Sequence, residues 1–334
     1  MRKKIALILC LAFVLVAVAG CGAGAKGEAV KTGLAVISSI AKSTDAGEKE
    51  GLAQVDSVAV AVTVDKDGKI VNCKIDTAQT KINFSAEGKL TTPKDTVYKS
   101  KQDLGSEYGM GKASSIGKEW NEQANALADY VKGKTVAEVK GIAVNQEGIP
   151  TEKDLTSSVT IHIGDYVAAI EKAVNNAKEL GAKAGDKLGL GVYTTISNSA
   201  DAGDKEGVAQ AYSNYAATTF DANGKITSSY IDASQSNVNF TKEGKITSDL
   251  KAELKTKQEL GAGYGMAKAS SIGKEWNEQI NEFAKFVTGK TIDQVKGIAV
   301  NAEGVPSEKD LTSSVTIHIG DYQTVIEKSS ANAK

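Results

Sequence analysis

Two threonines stand in a setting that would suit acceptors of a covalent group. Thr160 closes the run Asp154 to Thr160, DLTSSVT, and Thr316 closes the same run from Asp310 to Thr316. An acid leads, small hydroxyl residues follow, and no bulky side chain stands directly before the last threonine. Such a hydroxyl is presentable to another enzyme as a nucleophile. Each run lies inside an identical block, EKDLTSSVTIHIGDY. A Ser/Thr-rich run ahead of a helix also serves as a cap, its oxygens taking up free N–H groups of the first turn. Recurrence of the whole block favours a modification site over a cap.

The two blocks are 156 residues apart, and the same spacing carries Trp120 to Trp276, Asp76 to Asp232 and Asp45 to Asp201 without a gap. The chain is therefore a tandem duplication, with domains expected over 33–178 and 189–334. The joint between them, 179–188, is rich in glycine and charge. With 334 residues, 24% charged and 41% hydrophobic, there is material for two globular cores. The net charge of -1 and the lack of a basic stripe argue against nucleic acid as a partner.

Within each half, hairpin signals come first and helical periodicity later. Val58 to Val64 and Lys69 to Ile75 flank Asp67 and Gly68, and their counterparts flank Asn223 and Gly224, pairs that tolerate the positive φ of a tight turn. Glu87-Gly88 and Glu243-Gly244 mark a further turn. Ile116, Trp120, Ala124, Leu127 and Val131 share a helical face, as do Ile272, Trp276, Ile280, Phe283 and Val287. Gly141 to Asn145 reads as a short buried strand. Val159, Ile161 and Ile163 alternate with Thr160 and His162 as a brief strand, with Asp165 capping the next helix. The expected fold class is α+β, two tandem antiparallel β-meander sheets each backed by helices.

At the N-terminus, Arg2, Lys3 and Lys4 precede an apolar run from Ile5 to Ala19, too short to span a bilayer comfortably and typical of an export signal. Val18, Ala19 and Gly20 lead into Cys21, a pattern that resembles a lipobox. The expectation is a signal peptide over 1–20, lipidation at Cys21, and a tether over 21–32. Of the three cysteines only Cys73 then belongs to the mature fold, so no internal disulfide is available. Val71, Cys73 and Ile75 fall on one strand face, which makes Cys73 a core residue; its counterpart is Ser229.

Other chemistries find little support. His162 and His318 are the only histidines, one per half, short of a metal ligand set. Each is read either as an exposed strand residue or as a partner for charge beside its threonine. No nucleophile elbow or assignable triad is present. Trp120 and Trp276 are core residues on periodicity, or stacking faces for a flat heterocycle. The loops Tyr108-Gly109-Met110 and Tyr264-Gly265-Met266 are open enough in sequence to approach a ligand.

The DLTSSVT runs resemble the flavinylation motif, in which Asp, two free positions, Ser, Gly or Ser, a small residue and Thr precede attachment of FMN phosphate to the threonine. With the lipobox, tether and tandem domains, nearly the whole mature chain is similar in architecture to PplA-type flavinylated lipoproteins of Gram-positive extracellular electron transfer. The resemblance implies two covalent FMN groups, on Thr160 and Thr316, with Asp154, Ser157, Asp310 and Ser313 as recognition elements. It implies loading by a flavin transferase that consumes FAD, and a lipid-anchored place on the outer face of the cytoplasmic membrane. There the protein would pass electrons from a membrane donor to an extracellular acceptor, as a carrier rather than an enzyme. Ser158 and Ser314 stand where glycine is common, and Val159 and Val315 where alanine is common. Two further readings stay open: a lipid-anchored binding or adhesion protein without a redox group, and a pheromone-precursor lipoprotein.

Overall fold

The protein is described by a computed structural model over residues 27–333. The expected signal peptide over 1–20, the lipobox-like pattern and Cys21 lie outside the described residues. Strand β2 (Gly51–Val64) shows why the architecture has more than two layers. Val58, Val60, Val62 and Val64 enter one core and Ala59 and Ala61 another, and all six are buried. A strand that is apolar on both faces needs a cover on each.

Strands β1 (Lys31–Ser39), β2 and β3 (Ile70–Phe84) form an antiparallel sheet in chain order. Then come β4 (Val97–Tyr98), α1 (Lys101–Leu104), α2 (Trp120–Tyr130), α3 (Val136–Lys140), α4 (Lys153–Thr156) and α5 (Gly164–Asn175). The second half repeats this as β5 (Lys187–Thr195), β6 (Gly207–Phe220), β7 (Ile226–Phe240), α6 (Lys257–Leu260), α7 (Trp276–Val287), α8 (Ile292–Lys296), α9 (Lys309–Thr312) and α10 (Gly320–Ala331). The fold is α+β, two antiparallel sheets each backed by helices. One strand crosses over: β4 pairs with β5, Val97 opposite Thr195, so the second sheet runs β4-β5-β6-β7.

Helices α2 and α5 cover the outer face of the first sheet, and α7 and α10 that of the second. The inner faces pack on each other, Leu34, Val36 and Ala61 against Leu190, Val192 and Tyr215. The contacts between halves are reciprocal. Ala46 N donates to Gly244 O and Ala202 N to Gly88 O, both at 2.8 Å, while Lys172–Glu259 and Lys328–Asp103 pair at 2.6 Å. Contacts that recur with partners exchanged define an isologous interface, here inside one chain. The duplication has produced an internal pseudo-dimer.

Several local expectations are corrected. The described end of the expected tether is packed: Thr32 N donates to Lys178 O and Val30 N to Ala182 O, burying Val30 with Ala182 and Ala184 from the expected joint. In the hairpins only Gly68 (φ 78) and Gly224 (φ 75) take positive φ, not Asp67 or Asn223, because Asp65 and Asp221 carboxylates fold each loop by accepting two of its amides. The register passes from Thr63 opposite Asn72 to Val64 opposite Ile70, so Val71 is the extra residue of a bulge. Ile70, not Val71, therefore shares the core with Cys73 and Ile75. Burial pushes the Cys73 thiol up to about 12, an inert core group.

Ile116 and Ile272 precede their helices, which start at Trp120 and Trp276 behind capping boxes at Glu119 and Glu275. Gly141 to Asn145 is not a strand: the Asn145 carboxamide captures the amides of Glu147 and Ile149 in a turn, leaving Val144 47% exposed. The motif is not a strand either. Val159 N bonds back to Leu155 O, Thr160 N goes to a side chain, and Ile163 N goes to Gly148 O, so these amides do not pair in a ladder with a neighbouring strand. Asp165 lies within the first turn of α5 rather than capping it.

Candidate functional site

Thr160 is held by a glutamine that comes from helix α2. Leu155 and Val159 enter the core and fix the short turn that ends α4, which leaves Thr160 half-buried at the surface. Gln123, on α2 and fully buried, accepts from Thr160 N at 2.8 Å and Thr160 Oγ1 at 3.1 Å through Oε1. Its Nε2 donates to Ser114 Oγ and Lys118 O. All four hydrogen-bonding positions of this buried amide are thus filled, as burial of a polar group demands. The second half repeats the set: Gln279 accepts from Thr316 N and Oγ1 at 2.8 and 3.1 Å and donates to Ser270 Oγ and Lys274 O.

Asp154 and Ser157 are exposed on the turn before Thr160, and Asp310 and Ser313 before Thr316. The outer face of each motif is therefore exposed, while Leu155 and Val159, or Leu311 and Val315, pack its inner face on the core. Glu152 secures the front of the first motif, hydrogen-bonded to Tyr130 Oη and accepting from Ala143 N. Those two donors, Tyr130 first, hold its carboxyl below the usual range. At the rear, Gly148 (φ 71) forms the turn over which the exposed His162 ring lies, so close that a Cβ there would stand 2.3 Å from the ring. His318 covers Gly304 in the same way.

A groove of 390 Å³ opens beside Thr160, lined by Met110, Ala113, Ser114, Ile149 and Ile161. Met110, from the Tyr108-Gly109-Met110 loop, lines this groove together with Thr160 and is held by Glu119, which accepts from Met110 N. The stacking reading of the tryptophans is corrected: Trp120 and Trp276 are each 2% exposed, with Nε1 donating to Tyr166 Oη and Tyr322 Oη. No ring face is left for a heterocycle.

Gln123 and Gln279 were absent from the expected site, yet a signal exists. The stretch KASSIGKEWNEQ is identical at 112–123 and 268–279, as EKDLTSSVTIHIGDY is at 152–166 and 308–322. These unchanged blocks meet in space at Gln123–Thr160 and Trp120–Tyr166. Among the described residues, no group of three or more His, Cys, Asp or Glu is arranged to hold a metal, and no helix is long and apolar enough to cross a membrane.

No family model matches the chain, and no solved structure does. A chlorophenol reductase of Desulfitobacterium hafniense is 49% identical over 43 residues. The matched stretch is 13% of this chain and 13% of that protein, a small part of either.

Proposed function

We propose that Thr160 and Thr316 each carry FMN through a phosphoester and that the protein is a lipid-anchored electron carrier outside the cytoplasmic membrane. The observation that carries this reading is the pair of Gln-held threonines, identical in both halves, each preceded by an exposed acid and serine. An esterified threonine has no hydroxyl proton to donate. Its backbone N–H still satisfies the buried glutamine oxygen, so the seat survives loading. The groove formed by Met110, Ala113, Ile149 and Ile161 offers the apolar walls that a flat ring system requires.

FMN supplies reversible uptake of one or two electrons when bound. The chain's own residues do the rest. Gln123 and Gln279 orient the acceptors, Asp154, Ser157, Asp310 and Ser313 present themselves to a flavin transferase that uses FAD, and Cys21 provides the lipid anchor. Covalent attachment keeps the cofactor where free FMN would be lost by dilution. The electron donor belongs to the membrane and the acceptor lies beyond it. Protein made together with a flavin transferase is expected to be yellow and to keep its flavin absorbance after denaturation and gel filtration. A colourless product would favour the lipid-anchored binding module instead.

A further inference from the structure

The two halves differ at one place where the first half has a cavity and the second fills the corresponding space with tyrosine side chains. The cavity is 280 Å³, lined by Ile37, Asp56, Val58, Thr77, Lys101 and Tyr166 among others. At the positions 156 residues on from Ile37 and Asp56 stand Tyr193 and Tyr212, and both pack against the second core. Lys257, the counterpart of Lys101, is buried and donates to Tyr212 Oη at 2.9 Å, with the ring centroid 4.6 Å away. Tyr212 Oη lies 3.4 Å from Tyr322 Oη.

In the first half the receiving groups remain and the ring is missing. Lys101 still lies over Tyr108 and Trp120, as Lys257 lies over Tyr264 and Trp276, but its ammonium makes no hydrogen bond or ion pair among the described residues. The Asp56 carboxylate is turned to Lys42, Gln54 and Gln79 instead. Asp165 lies at the cavity rim, and Tyr166 keeps its hydroxyl there. Thr77, where the second half has Ala233, adds a buried hydroxyl that approaches Tyr166 only loosely and has no partner in good geometry. An unpaired buried hydroxyl is costly and calls for a polar guest.

We propose that this cavity binds a small phenol, its ring placed as the Tyr212 ring is in the other half and its oxygen accepting from the Lys101 ammonium. Ile37 and Val58 supply the apolar wall, and Thr77 supplies a second hydrogen-bonding group for a further ring oxygen. The second half carries its own ligand as a side chain. Burial beneath that ring lowers Lys257 to about 8, a cost the first half avoids until a guest enters. The site does not depend on flavin attachment.

The probe is 4-methylphenol, the tyrosine side chain as a free molecule, titrated calorimetrically into the full chain made without a flavin transferase. One saturable site per chain is expected. Asp56→Tyr copies the second half and should weaken binding by about tenfold or more, while Tyr212→Ala should raise the stoichiometry to two. Toluene, which lacks the oxygen, should bind about tenfold or more weakly. Absence of saturable binding, binding that survives in Asp56→Tyr, or equal affinity for toluene would each overturn the proposal. Asp56→Tyr decides the question even where Tyr212→Ala fails to fold.

Discussion

The rings of Phe84 and Phe240 stack with centroids 4.3 Å apart and planes 10° from parallel, although their strands belong to different halves. Each ring also closes over a glycine of its own sheet: a Cβ on Gly51 would stand 2.3 Å from Phe84, and one on Gly207 2.4 Å from Phe240. The two repeats therefore share a core, and neither inner sheet face is covered without the other. Electron carriers attached as this one is proposed to be would then sit on one rigid body, not on two beads.

That packing sets the expected unfolding behaviour. Phe84→Ala should cost about 3–5 kcal/mol, as for other buried aromatic truncations, and should destabilise both halves in one transition. In a double-mutant cycle with Phe240→Ala, the coupling should be about 0.5–1.5 kcal/mol, the worth of an aromatic pair beyond its buried area. Urea denaturation followed separately by signals from each half checks this. Two transitions, with only the mutated half shifted, would show independent domains.

Asp76 and Asp232 make stability depend on pH. Burial pushes each carboxyl up to about 7, against the pull of hydrogen bonds from Ser100 and Gln102, or Thr256 and Gln258. Near the ordinary carboxylate range the unfolded chain releases these protons while the folded state keeps them. Their contribution is thus complete at low pH and is lost as pH rises towards 7. The stability of Asp76→Asn and Asp232→Asn relative to the parent should therefore increase steadily from pH 4 to pH 7 and level off above. Chemical denaturation at a series of pH values measures it, and a difference that stays flat across the range would contradict it.

Much of this was legible in the sequence because the duplication acts as an internal alignment. The helical faces around Trp120 and Trp276, the two meanders and the recurrence of the DLTSSVT turn all follow from residues repeated at one spacing. The sandwich of the two sheets was signalled by the run from Val58 to Val64, apolar at nearly every position rather than alternating. Periodicity within one half does not say what supplies the second cover, since Ala59 and Ala61 meet residues more than a hundred positions away. Alternation misled at Val159 to Ile163, where the apolar residues plug the core from a turn and the amides of Val159, Thr160 and Ile163 go to a helix carbonyl, a side chain and a loop carbonyl. Gln123 was hidden for the related reason that its partner is 37 residues distant.

Gln123 should position the acceptor as well as stabilise the fold. Gln123→Ala leaves Thr160 N–H without its buried acceptor, a loss of about 1–3 kcal/mol. Loading at Thr160 should fall by about tenfold or more, because displacing a reacting atom by about 1 Å costs rate on that scale. Thr316, served by Gln279, should load normally in the same molecule. Peptide mapping by mass spectrometry after coexpression with a transferase separates the two sites, and equal loading at both would show that the glutamine plays no positioning part.

The intact mass of the protein coexpressed with a flavin transferase tests the central claim most directly. The parent chain should carry two FMN masses, Thr160→Ala and Thr316→Ala one each, and the double variant none while remaining folded. Covalent flavin retained in the double variant, or a parent chain that never acquires any, would contradict the account.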